Sequence, residues 1–294
     1  MSAASTPDGR SFETGDRVKA RTRMKIFWQS FIDETASRPY MERLGAYLNA
    51  IAAPGTEVEV AGVSPPDRDF SRLSELRCAV LAIDNALAAE EAGADVCVIG
   101  HFQDPGLFEM RSALAIPVVG VGEATMLAAS QLGRRLGLVS LDPVFEVWHH
   151  EQADRYGLAD RLTGVTGLAC RPEDFSEAFA GDEDARVRML EDFAACAQPL
   201  RDAGADVIVP AGVLPGLLLG GERGFTVGGA PVINCASVGL KNAEMWGQLR
   251  AIDGIEPNRG ACHARAPERA RADFRRLVNA GRWAKAEDDP SRKP

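Results

Sequence analysis

Two stretches of the chain repeat one phrase. Residues 92–107 read AGADVCVIGHFQDPGL and residues 203–217 read AGADVIVPAGVLPGL, their starts 111 positions apart. Each has an acidic residue, a short apolar run and then a turn, which is how a buried strand delivers its C-terminal end to a pocket. The first copy places His101 at that end and the second places Gly212. An imidazole there is a base at neutral pH that can take a proton from carbon, activate water or bind a metal ion. The alternative is a histidine that only packs and hydrogen-bonds in a loop. Gly212 contributes no side chain: it opens space opposite the base, or it serves a turn that needs positive φ, or both.

Other polar residues cluster around these two in sequence. Gln103 and Asp104 follow His101, and Asp104 either orients the imidazole or caps a helix beginning near Pro105. Glu123, in GVGEA, opens a helix where the dipole favours a carboxylate, and ranks after His101 for a polar role. Ser30 and Ser140 end the matching strands IFWQS and LGLVS, where a hydroxyl can bind a ligand or cap the next helix. Cys235 lies one strand over from Gly212. The six cysteines show no C-x-x-C spacing, which argues against a zinc knuckle or a disulfide framework and for structural thiols. His149 and His150, side by side in VFEVWHHEQADRYGL, read as part of a surface helix and point in different directions. Cys262 and His263 lie in a tail that can fold back on the first half of the chain. A zinc site would have to combine His101, the only serious metal candidate, with such residues, and no ligand spacing supports it.

The elements that position these residues alternate. Strands are expected at 24–31, 56–63, DVCVIG, IPVVGV, 136–141, DVIVP and APVIN. Helices are expected at 38–53, about 75–92, 106–114, from Glu123, after Asp142-Pro143, at about 184–203 and over ASVGLKNAEMWGQLRAI. Short apolar strands alternating with helices give parallel sheets covered on both faces. The repeat extends further, since IPVVGVGEATMLAA after the first copy parallels APVINCASVGLKNA after the second. The expectation is an α/β fold of two pseudo-symmetric lobes, each a mostly parallel sheet flanked by helices, with the site in the cleft between them. Lobe 1 would span 23–133, with 252–283 packing back on it, and lobe 2 would span 134–251. Disordered tails are expected at 1–22 and 284–294. A tandem fold with no shared site is the alternative.

The 294 residues are 46% hydrophobic and carry a net charge of -9, enough for a filled core and unsuited to phosphate backbones or anionic membranes. No apolar run nears the roughly 18 residues a membrane span needs. The polar N-terminus lacks a secretory centre, so the protein reads as cytoplasmic. No phosphate-binding or dinucleotide motif occurs, and LLLGGERGFTVGGAP reads as a mobile loop beside the cleft.

GADVCVIGHFQDPGL, IPVVGVGEATMLAA and PVINCASVGLKNAEMW together resemble signatures of the aspartate/glutamate/hydantoin racemase superfamily, most closely its hydantoin racemase branch, over about residues 24–250. The resemblance implies a cysteine at each of the two equivalent strand ends, one removing a proton beside a carbonyl and the other returning it from the opposite face. His101 and Gly212 stand at those places, so the resemblance does not carry over the two-thiol reaction. It implies that Ser30 and Ser140 hold substrate oxygens, and it places Glu123 near the pocket. The expected protein binds a small hydantoin-like ring or related small acid and needs no cofactor, although a divalent metal such as zinc would fit a His101 site. The favoured reaction is a one-sided, His-assisted hydrolase or lyase step, such as desulfurisation of a thiohydantoin. The alternatives are an isomerase with His101 as one base, aided by Cys235 or water, and a non-catalytic binding protein. By analogy with relatives, a homo-oligomer is expected.

Overall fold

The computed structural model describes residues 23–34, 37–67 and 69–280. The expected tails at 1–22 and 284–294 lie outside the described residues. The chain opens with β1 (Met24–Ser30), α1 (Arg38–Ile51), β2 (Thr56–Ala61) and α2 (Arg72–Glu91). It continues through β3 (Val96–Gly100), α3 (Leu107–Ala113), β4 (Val118–Gly120) and α4 (Val121–Leu132). The four strands form a parallel sheet in the order β2-β1-β3-β4. VCVIG of β3 is buried throughout, as a central strand covered on both faces must be. Ser71 caps α2 by accepting from the amide of Ser74 (3.2 Å).

The pattern then restarts. β5 (Leu136–Ser140), α5 (Glu146–Arg155), β6 (Leu162–Gly167), α6 (Ser176–Ala180), α7 (Glu183–Asp202), β7 (Val207–Ala211) and α8 (Val213–Leu218) follow in order. The second sheet runs β6-β5-β7, again parallel, and Val232 bridges in parallel to Ile208 where the first sheet has β4. The two sheets are therefore copies. Ser30 pairs with Gly100 and Ser140 with Ala211, so His101 and Gly212 each take the next step beyond equivalent strand ends. β6, LTGVTG, is an edge strand of half-buried residues whose glycines and threonines gave no apolar run to read. The expected strand APVIN is mostly absent. Thr226–Val227 (β8) and Ala230–Pro231 (β9) instead form a small antiparallel hairpin, turned by Gly228 (φ 54°) and Gly229 (φ 83°). Two consecutive left-handed residues make the tight turn that matches strand twist, so the Gly-rich stretch is a structured hairpin in place of the expected loop.

The last helix of each repeat crosses over. α9 (Cys235–Asp253), from the second repeat, packs on β1, β3 and β4 of the first, while α4 packs on β7 and on α9. One hydrophobic core consequently runs from Trp28 and Val98 through Val121 and Leu240 to Ile208 and Val209. Finally α10 (Glu268–Asn279) lies on α2, where Arg271 faces Glu90 and Arg275 pairs with Glu91 (2.7 Å). Arg259 donates to the carbonyls of Arg111 and Leu114, fastening the connecting segment to the first sheet's side. No helix of the described residues is long and apolar enough to cross a membrane.

Candidate active site

A cavity of about 60 Å³ opens where the carboxyl ends of the two sheets meet. That is room for a few waters. Its first wall carries Phe31, His101 and Gln103, and its second is the turn from Gly212 to Pro215, with Tyr40, Phe70 and Phe145 between. Among the described residues Asp67 is the one carboxylate that lines it, and no lysine or arginine does.

His101 leaves β3 at its carboxyl end, and its ring stacks on Phe31 with centroids 4.8 Å apart and planes within 19°. Its Nε2 lies 3.2 Å from Oε1 of Glu75, whose side chain is only 14% exposed. That oxygen has no aligned hydrogen-bond partner, so the contact is electrostatic, and catalytic contacts often tighten only when substrate binds. A carboxylate only accepts, so Glu75 favours the proton on Nε2 and leaves Nδ1 with the lone pair. Sequence reasoning missed Glu75. It sits in the first turn of α2, and a helix start was readable near it, but nothing in the spacing shows that this turn reaches a residue 26 positions later.

The opposite wall is backbone. Gly212 has φ 173°, extended geometry that any residue adopts, so the turn reading of this glycine does not hold. What the glycine provides is space: a Cβ there would come 3.1 and 3.3 Å from Cδ and Cγ of Pro215. Cys235 is fully buried outside the lining, its thiol donating to the Gly212 carbonyl (3.1 Å). Burial pushes that thiol up to about 12, so it is a neutral donor that supports the wall.

The remaining candidates divide. Gln103 lines the cavity. Ser30 and Ser140 are fully buried and do not line it, each hydroxyl meeting an internal ring from the following helix where a substrate oxygen was expected. Ser30 bonds Tyr40 of α1, and Ser140 lies 3.1 Å from Nε2 of His149 of α5. Glu123 also lies outside the lining, paired with Arg111, which donates to the Val118 carbonyl as well. The Asp104 carboxylate does not orient the His101 ring and does not cap the helix next to it. It accepts from the amides of Gly122 (2.9 Å) and Glu123 (2.7 Å), capping α4 instead.

The surface helix expected for His149 is corrected: the residue is fully buried, because α5 turns this face against the end of β5 and against Phe102. Its Nδ1 contacts Oε1 of Gln152 (3.1 Å), and the Gln152 amide donates to the Phe102 carbonyl (2.5 Å) and to Asp104 (3.3 Å). Tyr156 donates to Asp104 at 2.6 Å. Burial lowers His149 to about 4, keeping it neutral, and burial raises Asp104 to about 7 against the pull of its donors. Gly122 makes this approach feasible, since a Cβ there would lie 2.0 Å from the Phe102 carbonyl.

Among the described residues the metal candidates lie apart. His263 stacks on Phe108 with Cys262 beside it, and among the described residues no group of three His, Cys, Asp or Glu side chains could hold an ion. The residues that surround His101 are one carboxylate and an aromatic ring, a donor set that suits a proton-transfer base.

Known proteins share this architecture. The chain is 25% identical to allantoin racemase from Klebsiella pneumoniae, with a TM-score of 0.65 over 83% of this chain and 94% of that one. Allantoin racemase from Pseudomonas fluorescens gives 0.66 at 18% identity over 83% and 97%, a likeness of fold. Among curated proteins, the hydantoin racemase of Pseudomonas sp. (strain NS671) is 28% identical over 144 residues, 48% of this chain and 56% of that protein. The hydantoin racemase of Paenarthrobacter aurescens is 31% identical over 122 residues, 42% and 49% of the two chains. The chain thus matches about half the length of these curated relatives. The family model Asp/Glu/Hydantoin racemase matches residues 31–243, both repeats and the cavity between them, and the chain belongs to that family.

Proposed function

We propose that the protein is an isomerase that moves a proton at a carbon beside a carbonyl in a small hydantoin-like ring, with His101 as the base. The observation that carries this reading is the position of the His101 ring: on one wall of the inter-lobe cavity, backed by the Glu75 carboxylate and facing the bare Gly212 turn. In this reaction the imidazole takes the proton, the C–H electron pair enters the ring carbonyl as an enolate, and Glu75 steadies the imidazolium that forms. Return of the proton from the same imidazolium restores the starting hand. Inversion needs a proton from the other face, where Gly212 offers no group, so water supplies it there and the imidazolium releases its own proton to the hydroxide that remains, restoring the neutral base.

An enantiopure 5-substituted hydantoin in deuterated water tests the reading. Deuterium should enter the stereocentre faster than optical activity is lost, and His101→Ala should abolish entry. Absence of exchange above the buffer rate overturns the proposal. The bare second wall also favours a one-sided hydrolase or lyase step on the same ring, which would open it or release a small product in that experiment. Ligand-induced stabilisation without turnover would mark a binding protein. We further propose a cytoplasmic protein that forms a homo-oligomer, for which the exposed Leu73, Leu76 and Val147 supply apolar surface. Sedimentation velocity measures this directly.

A further inference from the structure

We propose that His149 and Gln152, from the second repeat, are positioning residues that hold the His101 loop in place on the cavity wall. The tie runs through buried groups. Gln152 donates to the Phe102 carbonyl and to Asp104, so its Oε1 must face His149. An accepting oxygen there fixes the proton on Nδ1 of His149, which leaves Nε2 bare for the Ser140 hydroxyl to donate to. Each member therefore decides the orientation of the next, and the amide cannot flip without setting its oxygen against the Phe102 carbonyl, acceptor against acceptor. Burial supports this by keeping His149 neutral.

The far end of the tie acts on the loop that starts at His101. Asp104 holds left-handed backbone (φ 52°), uncommon outside glycine, and its amide closes a turn onto the His101 carbonyl (3.0 Å). That conformation is held because the Asp104 carboxylate is gripped by Gly122, Glu123, Tyr156 and Gln152 together. Phe102, one residue after His101, is gripped by its carbonyl. The spacing between the two repeats is thus passed to the imidazole, which touches none of these groups through its ring.

The test reads His101 itself. The chain has four histidines, so nitrogen NMR of the labelled imidazoles, assigned with His101→Gln, resolves each. Gln152→Leu should shift the His101 ring nitrogen signals. His149→Asn places an amide N–H where Nδ1 stood and should leave them unchanged, whereas His149→Gln, with its N–H at the Nε2 side, should move them. Folded Gln152→Leu with an unmoved His101 signal overturns the proposal. Should that variant not fold, identical His101 signals in His149→Asn and His149→Gln overturn it. The kinetic arm rests on the reading of His101 as base: kcat should fall about ten- to a hundred-fold in Gln152→Leu with KM within about twofold. A moved His101 signal with unchanged turnover would support the tie and sink that reading instead.

Discussion

At the residue scale the site is asymmetric, and the asymmetry can be altered one side chain at a time. Gly212→Cys asks for a few tenths of an ångström from Pro215, so the variant should fold with a melting temperature within a few degrees of wild type. With a thiol on the bare wall, loss of optical activity should catch up with deuterium entry in the hydantoin assay. An unchanged ratio of the two rates would show that the second face is not limiting. Cys235 behaves oppositely: buried, protonated and bonded to the Gly212 carbonyl, it should resist iodoacetamide at pH 8 while the exposed Cys262 reacts, as peptide mass spectrometry would reveal. Cys235→Ser keeps a donor for that carbonyl. Cys235→Ala removes one of its two donors, the Gly216 amide (3.0 Å) remaining, and should cost about 0.5–1.5 kcal/mol in urea unfolding.

At the scale of elements, the meeting of α4, α5 and the His101 loop sets the behaviour. Between pH 4 and 6.5 two buried groups work against each other. Asp104, raised from 3.8 to about 7, keeps a proton that the unfolded chain releases, so its contribution falls as pH rises through that range. His149, lowered from 6.5 to about 4, lacks a proton that the unfolded chain binds, so its contribution rises. Stability should be nearly flat across this window in the wild type. In Asp104→Asn it should climb with pH by up to about 1.4 kcal/mol per unit, measured by urea unfolding at a series of pH values. A flat profile in the variant would mean that His149 is not held neutral by the fold. Gly122→Ala drives a methyl into the Phe102 carbonyl and the Gln152 amide and should cost about 1–3 kcal/mol even though its backbone is ordinary helix.

Across the whole molecule, the exchanged helices make the two repeats one folding unit. α9 completes the first sheet's cover and α4 reaches the second, so the 133/134 boundary cuts through a shared core. Unfolding followed by far-UV circular dichroism and by tryptophan fluorescence, with Trp28 fully buried in the first repeat, should give one coincident transition. Two separated transitions would show that the repeats fold independently and that the crossover is weak.

The sequence alone determined the α/β alternation, the two copies and the equivalence of His101 with Gly212, because buried parallel strands need unbroken apolar runs and both copies wrote them out. Even there, β6 stayed hidden, since an edge strand of threonine and glycine carries no burial pattern. The partners were decided only by tertiary structure. Glu75 against His101, Gln152 against Phe102, and Ser140 against His149 join residues from different elements, and local periodicity says which face a residue takes but not which distant face it meets. For the same reason Ser30, Ser140 and Glu123 meet Tyr40, His149 and Arg111: once buried, a hydroxyl or carboxylate must find a partner, and the packed chain supplies it.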